Sequence, residues 1–192
     1  MFPTRRLPLI VIPALVVVLI AVGFAAWSGL GQGRADPGVR VVDGTAPGGG
    51  SPVERTFSSA QDAVAFASSR AGFTVGGPSN LPSGYALVEV DIPPKPPSSA
   101  PGAPLRATLK LRKGDTGFQI LLVNQPFTFD GDDTSHLIAS LSAGARVFKV
   151  VGDVTTDYTL LTASRGAVIT ARNPSPLADD EAVRILSSLP QN

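Results

Sequence analysis

The chain has 192 residues, a formal net charge of +1 and no cysteine, which excludes a disulfide framework and a thiolate metal site. From Phe57 onward eleven Lys and Arg face twelve Asp and Glu. A near-neutral domain with scattered charges lacks the basic face that nucleic-acid binding needs, so no nucleic-acid partner is expected.

Residues 1–6 read as a short cytoplasmic tail ending in Arg5 and Arg6. Leu7 to Trp27 follows without a charge, and 13 of its 21 residues are Leu, Ile, Val or Phe. At about 1.5 Å per residue such a run spans roughly 31 Å, the thickness of a bilayer core. Arg5 and Arg6 precede the run, whereas Arg34 on the other side is soon offset by Asp36. That asymmetry predicts a single-pass helix at 7–27 in the lipid bilayer of the cell membrane, its N-terminus cytoplasmic and its C-terminal part extracytoplasmic. A cleaved signal peptide competes, but its apolar region is about 7–15 residues long, shorter than this one.

Residues 28–56 are rich in Gly and Pro, including Gly48-Gly49-Gly50-Ser51-Pro52, and read as a linker in which Val39 to Val42 is compatible with a short strand. Residues 57–192 then form one extracytoplasmic domain, with a flexible Pro-rich loop at 93–104. Ser59 caps a helix running to Ala71, with Asp62 three residues on and Gly72 as the stop. Leu81-Pro82-Ser83-Gly84 predicts a β-turn with Pro second and Gly fourth.

Strands follow at Tyr85–Ile92, Leu105–Arg112, Phe118–Val123, Arg146–Val151, Thr155–Leu161 and Ala167–Arg172. In the second of these Arg106, Thr108, Lys110 and Arg112 face out, and the run Phe118–Val123, apolar but for Gln119, belongs at the sheet centre. Ser175 and Pro176 open a last helix, whose stripe is Ala178, Ala182, Ile185, Leu186 and Leu189. The expected fold is α+β: an antiparallel sheet of about six strands, an N-terminal and a C-terminal helix packed on it, and one transmembrane helix in front.

Gly72-Phe73, Val75, Pro78 and then Leu81-Pro82-Ser83-Gly84-Tyr85 resemble the opening motif of a bacterial extracytoplasmic family, catalogued as domain of unknown function 4367. The resemblance covers roughly Ser59 to Leu189 and implies a domain carried behind a single membrane helix. The family has no assigned catalytic residues, so it supplies none.

Chemistry-bearing residues are sparse. His136 is the one histidine, and its neighbours Ser135 and Ser140 do not make a triad by adjacency. Asp130-Gly131-Asp132-Asp133 lacks the ligand order and final Glu of a calcium loop. Asp179-Asp180-Glu181 suits the positive end of a helix. No Lys-Ser or Lys-Thr follows Gly48-Gly49-Gly50, so it is not a phosphate loop. The expectation is a monomeric, non-catalytic sensing or interaction domain without metal or cofactor, acting on an envelope protein or other envelope component. The alternative is a half-barrel-like carrier of a lipid or other apolar ligand.

Overall fold

A computed structural model describes residues 38–45, 51–95, 102–127 and 135–190. The predicted tail and span, the acidic loop and the middle of the Pro-rich loop lie outside the described residues. Among those described, no helix is long and apolar enough to cross a membrane.

The described residues form a nine-stranded mixed sheet with two α-helices, not an antiparallel sheet of six. In chain order the strands are β1 (Val39–Asp43), β2 (Val53–Phe57), β3 (Ala86–Ile92), β4 (Arg106–Lys113), β5 (Thr116–Val123), β6 (Ser135–Ser140), β7 (Arg146–Val151), β8 (Thr155–Leu161) and β9 (Gly166–Arg172). Helix α1 (Ala60–Ala71) separates β2 from β3, and α2 (Asp179–Ser187) follows β9. Across the sheet the order is β2-β1-β3-β4-β5-β9-β8-β7-β6.

Three strands account for the difference from expectation. β1 and β2 lie in the stretch read as a linker, and β1 pairs parallel with β3, Val41 opposite Val90. A parallel pair needs a long crossover. The β2 strand and α1 supply it, and α1 returns over the β1–β3 junction. The third strand, β6, is the far edge, half-exposed and broken by a register shift between Leu137 and Ala139. Short, bulged edges of this kind carry little hydrophobic pattern.

Both helices bury small or branched apolar side chains against one face of the sheet. Ala63, Ala67 and Ala71 of α1 are buried, and their size lets the helix approach the backbone of β1 and β3 closely. Ser59 accepts from the Asp62 N–H at 3.1 Å, which satisfies one of the free donors at the start of α1. Near the other end Arg70 Nε lies 2.7 Å from an Asp43 carboxylate oxygen, tying α1 to β1. Ala182, Ile185 and Leu186 make the buried side of α2. That helix begins later than expected. The Ser175 hydroxyl accepts from the Leu177 N–H at 3.2 Å in a local turn, and the Glu181 carboxylate reaches back to the Ala178 N–H at 3.0 Å. Ala178 is therefore the last residue before the helix. Between helices and sheet sit Leu109, Leu111, Phe118, Ile120, Tyr158 and Ile169, all essentially inaccessible.

Two turns depend on glycine. The Tyr85 N–H donates to the Pro82 carbonyl at 3.2 Å, so the turn is Pro82–Tyr85 and Gly84 is third, one place earlier than the sequence reading put it. At φ +85° Gly84 occupies the left-handed region that the third position of a type II turn demands. Gly114, at φ +56°, comes first in the two-residue hairpin between Lys113 and Thr116. Gly84→Val should cost about 1–3 kcal/mol, because a Cβ there would also meet the Lys113 chain at 3.1 Å. His136→Ala, on exposed edge-strand backbone, should shift the urea midpoint hardly at all. Equal midpoints for the Gly84 variant and the parent would refute the turn assignment.

Candidate functional site

Because side chains alternate along a strand, the positions between the core residues project from the sheet face opposite the helices. No described helix packs there. Phe127, in the segment after β5, lies over one end of the face, where a Cβ on Gly166 would sit 2.0 Å from its ring.

The registers join these positions into rows. Arg40, Glu89, Lys110, Gln119, Thr170 and Asp157 stand opposite one another in turn, on β1, β3, β4, β5, β9 and β8. A polar row thus runs from one side of the sheet almost to the other. Sequence reasoning found Arg106, Thr108, Lys110 and Arg112 pointing away from the core, and the structure agrees. It missed the row itself, because Arg40 sat in a presumed linker.

Glu89 is the electrostatic centre. Its side chain is 7% exposed. Arg40 Nε donates to Oε2 at 2.7 Å and Lys110 Nζ to Oε1 at 2.5 Å, while the Arg40 Nη2 also contacts Oε2. Burial pushes the Glu89 carboxyl up, but the hydrogen bonds and charges of Lys110 and Arg40 more than reverse that and hold it below its ordinary range. Arg40 extends the network to Glu54 on β2 at 3.5 Å. Two residues on, Asp91 shares the face. Burial raises its carboxyl, and the nearby Glu89 charge adds to the shift against the pull of Lys110 and Arg40.

Asp157 is raised by burial, which the hydroxyl of Thr170 opposite only partly offsets. Its Oδ1 and the Gln119 Nε2 are buried without a hydrogen-bond partner among the described residues. Buried unsatisfied polar atoms are rare and call for an explanation. Asp91 and Asp157 are four strands apart, roughly 20 Å at ~4.8 Å per strand, far beyond the separation at which two carboxylates work on one bond. Glu89 and Asp91 are close, yet both oxygens of Glu89 are engaged by cations, so neither is presented to a water or substrate.

Asp157→Asn should raise the melting midpoint at neutral pH by about 2–4 °C, the shift given by a change on the order of 1 kcal/mol. A carboxyl raised in the folded state opposes folding above its folded pKa. That cost disappears as pH falls through the folded pKa to the unfolded one. The gain from Asn should therefore vanish below the ordinary aspartate range. A midpoint lowered at neutral pH, or a gain that persists in acid, would contradict the burial account.

The other singled-out residues are dispersed. His136 is exposed on β6, where Lys149 stands opposite it. Lys149 pairs with Asp179 at 2.7 Å, and the buried Tyr158 hydroxyl lies 3.1 Å from the same Asp179 oxygen, which fixes the start of α2 on the sheet. A cavity of about 210 Å³ opens beyond the end of β3, lined by Ala71, Ile92, Pro94, Lys95, Pro104 and Leu105 among others. It lies at the margin of the Pro-rich loop rather than between sheet and helices. No three His, Asp or Glu side chains among the described residues are placed to hold a metal ion. No family model matches the chain, and no curated protein or solved structure matches it significantly.

Proposed function

We propose that this is a membrane-anchored extracytoplasmic binding domain, which engages an envelope protein or other envelope component through the sheet face opposite its helices. The observation that carries the reading is the polar row across that face, Arg40-Glu89-Lys110-Gln119-Thr170-Asp157, with no described helix above it. A sheet whose second face served only to meet solvent would not place Glu89 and Thr170 at 5% exposure there or leave buried polar atoms without partners. The uncharged run Leu7–Trp27, the charges before it and the motif from Gly72 to Tyr85 support the anchored, extracytoplasmic placement. Anchoring confines the domain to a thin layer over the bilayer and raises its effective concentration toward partners there.

The test is photo-crosslinking in intact cells. A crosslinking amino acid at Thr108, on that face, should yield a discrete adduct. The same probe at Ser69, exposed on α1, should not. Adducts from neither site, or from Ser69 alone, would overturn the assignment of that face.

A further inference from the structure

A tight hairpin closes one end of an antiparallel pair, but none closes a parallel pair, whose strands leave side by side in the same direction. β1 and β3 end level, with Asp43 opposite Ile92. The Gly44 N–H then donates to the Ile92 carbonyl at 2.8 Å. Past these strand ends lies the cavity of about 210 Å³. Ala71, Ile92, Pro94, Pro104 and Leu105 give it apolar walls, and its charged lining residues are Lys95 and Arg106. The prolines have a fixed φ, so that part of the wall is set before a ligand arrives.

Charge around this cavity is one-sided. No carboxylate lines it among the described residues. The acid just before Thr45, Asp43, is 3% exposed and fully engaged. Its Oδ1 accepts from the Thr45 N–H at 2.9 Å and hydroxyl at 2.5 Å, and its Oδ2 from Arg70 Nε at 2.7 Å. Residues 96–101, between the two sides of the cavity in the chain, include no acid. No hydrogen bond or ion pair engages the Lys95 or Arg106 side chain among the described residues. Lys95 Nζ and Leu105 Cδ1 lie 3.9 Å and 3.5 Å from the point that a Cβ on Gly72 would take, so an ammonium and an apolar side chain flank one spot. That spot is the C-terminal end of α1, whose dipole favours a cation. An ammonium carries three donors, which leaves some of them for a ligand.

We propose that this cavity binds a small organic acid, its apolar body against Ile92, Pro104 and Leu105 and its carboxylate on Arg106 and Lys95. A planar guanidinium takes a carboxylate bidentately, and the ammonium adds a point charge. Size selects a compact body. At about 210 Å³ the cavity is below the roughly 300–1,000 Å³ of sites for drug-sized ligands. A single ring or a short branched chain fits that space, and a long acyl chain does not. The site uses no member of the polar row, so it stands or falls apart from the binding role of the sheet face.

The experiment is a ligand-observed NMR titration of the full chain in neutral detergent, with detergent alone as the blank. The probes are phenylacetate, its uncharged isostere phenylacetamide, and acetate, which has the charge without the body. Phenylacetate should bind saturably, and the other two about tenfold or more weakly. Arg106→Gln should weaken phenylacetate binding about tenfold. Lys95→Gln, at an exposed position, should weaken it about threefold and keep the parental melting midpoint, which separates lost binding from lost fold. Arg184→Gln, an exposed change on α2, should leave the affinity unchanged. No saturable binding of phenylacetate overturns the site. Equal binding of acid and amide, or parental affinity in both the Arg106 and Lys95 variants, overturns the assignment of a carboxylate ligand. Acetate binding as tightly as phenylacetate overturns the part given to the apolar wall.

Discussion

Glu89→Ala should destabilise the domain by about 3 kcal/mol, near the lower end of the range for removing one member of a buried ion pair. The carboxylate is 7% exposed and Lys110 15%, so truncation strands the ammonium in a site built for its partner. Arg40 is 36% exposed and recovers part of its hydration, which is why the lower end applies. The loss should be steep in acid for the parent as well. Glu89 titrates below its ordinary value when folded, so the stability it contributes is complete above the unfolded glutamate pKa. That contribution is lost as pH falls through the folded pKa. The variant should have a flatter acid limb than the parent in urea unfolding. Replacing Arg40, Glu89 and Lys110 together by Met, Leu and Met should cost less than the single change, because no unpaired charge remains. A single variant as stable as the parent would show that the network is solvent-screened.

Phe118→Ala should cost about 3–5 kcal/mol, the value for a large aromatic removed from a packed core. Phe118 has no accessible surface, and its ring centroid lies 5.1 Å from that of Tyr85 at an interplanar angle of 56°. Such tilted pairs add a further fraction of a kcal/mol beyond area burial. Val154→Ala, at a position 64% exposed in the β7–β8 turn, should stay within about 0.5 kcal/mol. Urea midpoints for the two variants give the comparison. A small loss at Phe118 would mean that β5 is not at the centre of the sheet.

The run Phe118–Val123 was legible as a central strand because both its faces carry apolar side chains. The alternation of Leu105–Arg112 was legible because one face is core and the other polar. Of β1 only a short strand at Val39 to Val42 was legible, not its place in the sheet, though Val39 and Val41 are buried on it. Its five residues are embedded in Gly- and Pro-rich sequence, and what makes them a strand is parallel pairing with β3 across β2 and α1. No local period encodes a contact of that kind. β2 has four of its five residues exposed, and β6 none buried, so neither shows a core stripe. The sheet face opposite the helices was half visible. Its outward residues on β4 could be read from alternation. The Arg40–Glu89 pair, 49 residues apart in the chain, exists only once the sheet is assembled.

The proposed placement of this domain outside the membrane can be measured directly, because the chain has no cysteine. Single cysteines are introduced into the full chain at Ser69, exposed on α1, or at Thr4, before the apolar run. Intact cells are then treated with a membrane-impermeant maleimide. Ser69→Cys should be labelled in intact cells and Thr4→Cys only after permeabilisation. Labelling of Thr4→Cys in intact cells, with Ser69→Cys protected until the membrane is opened, would contradict it.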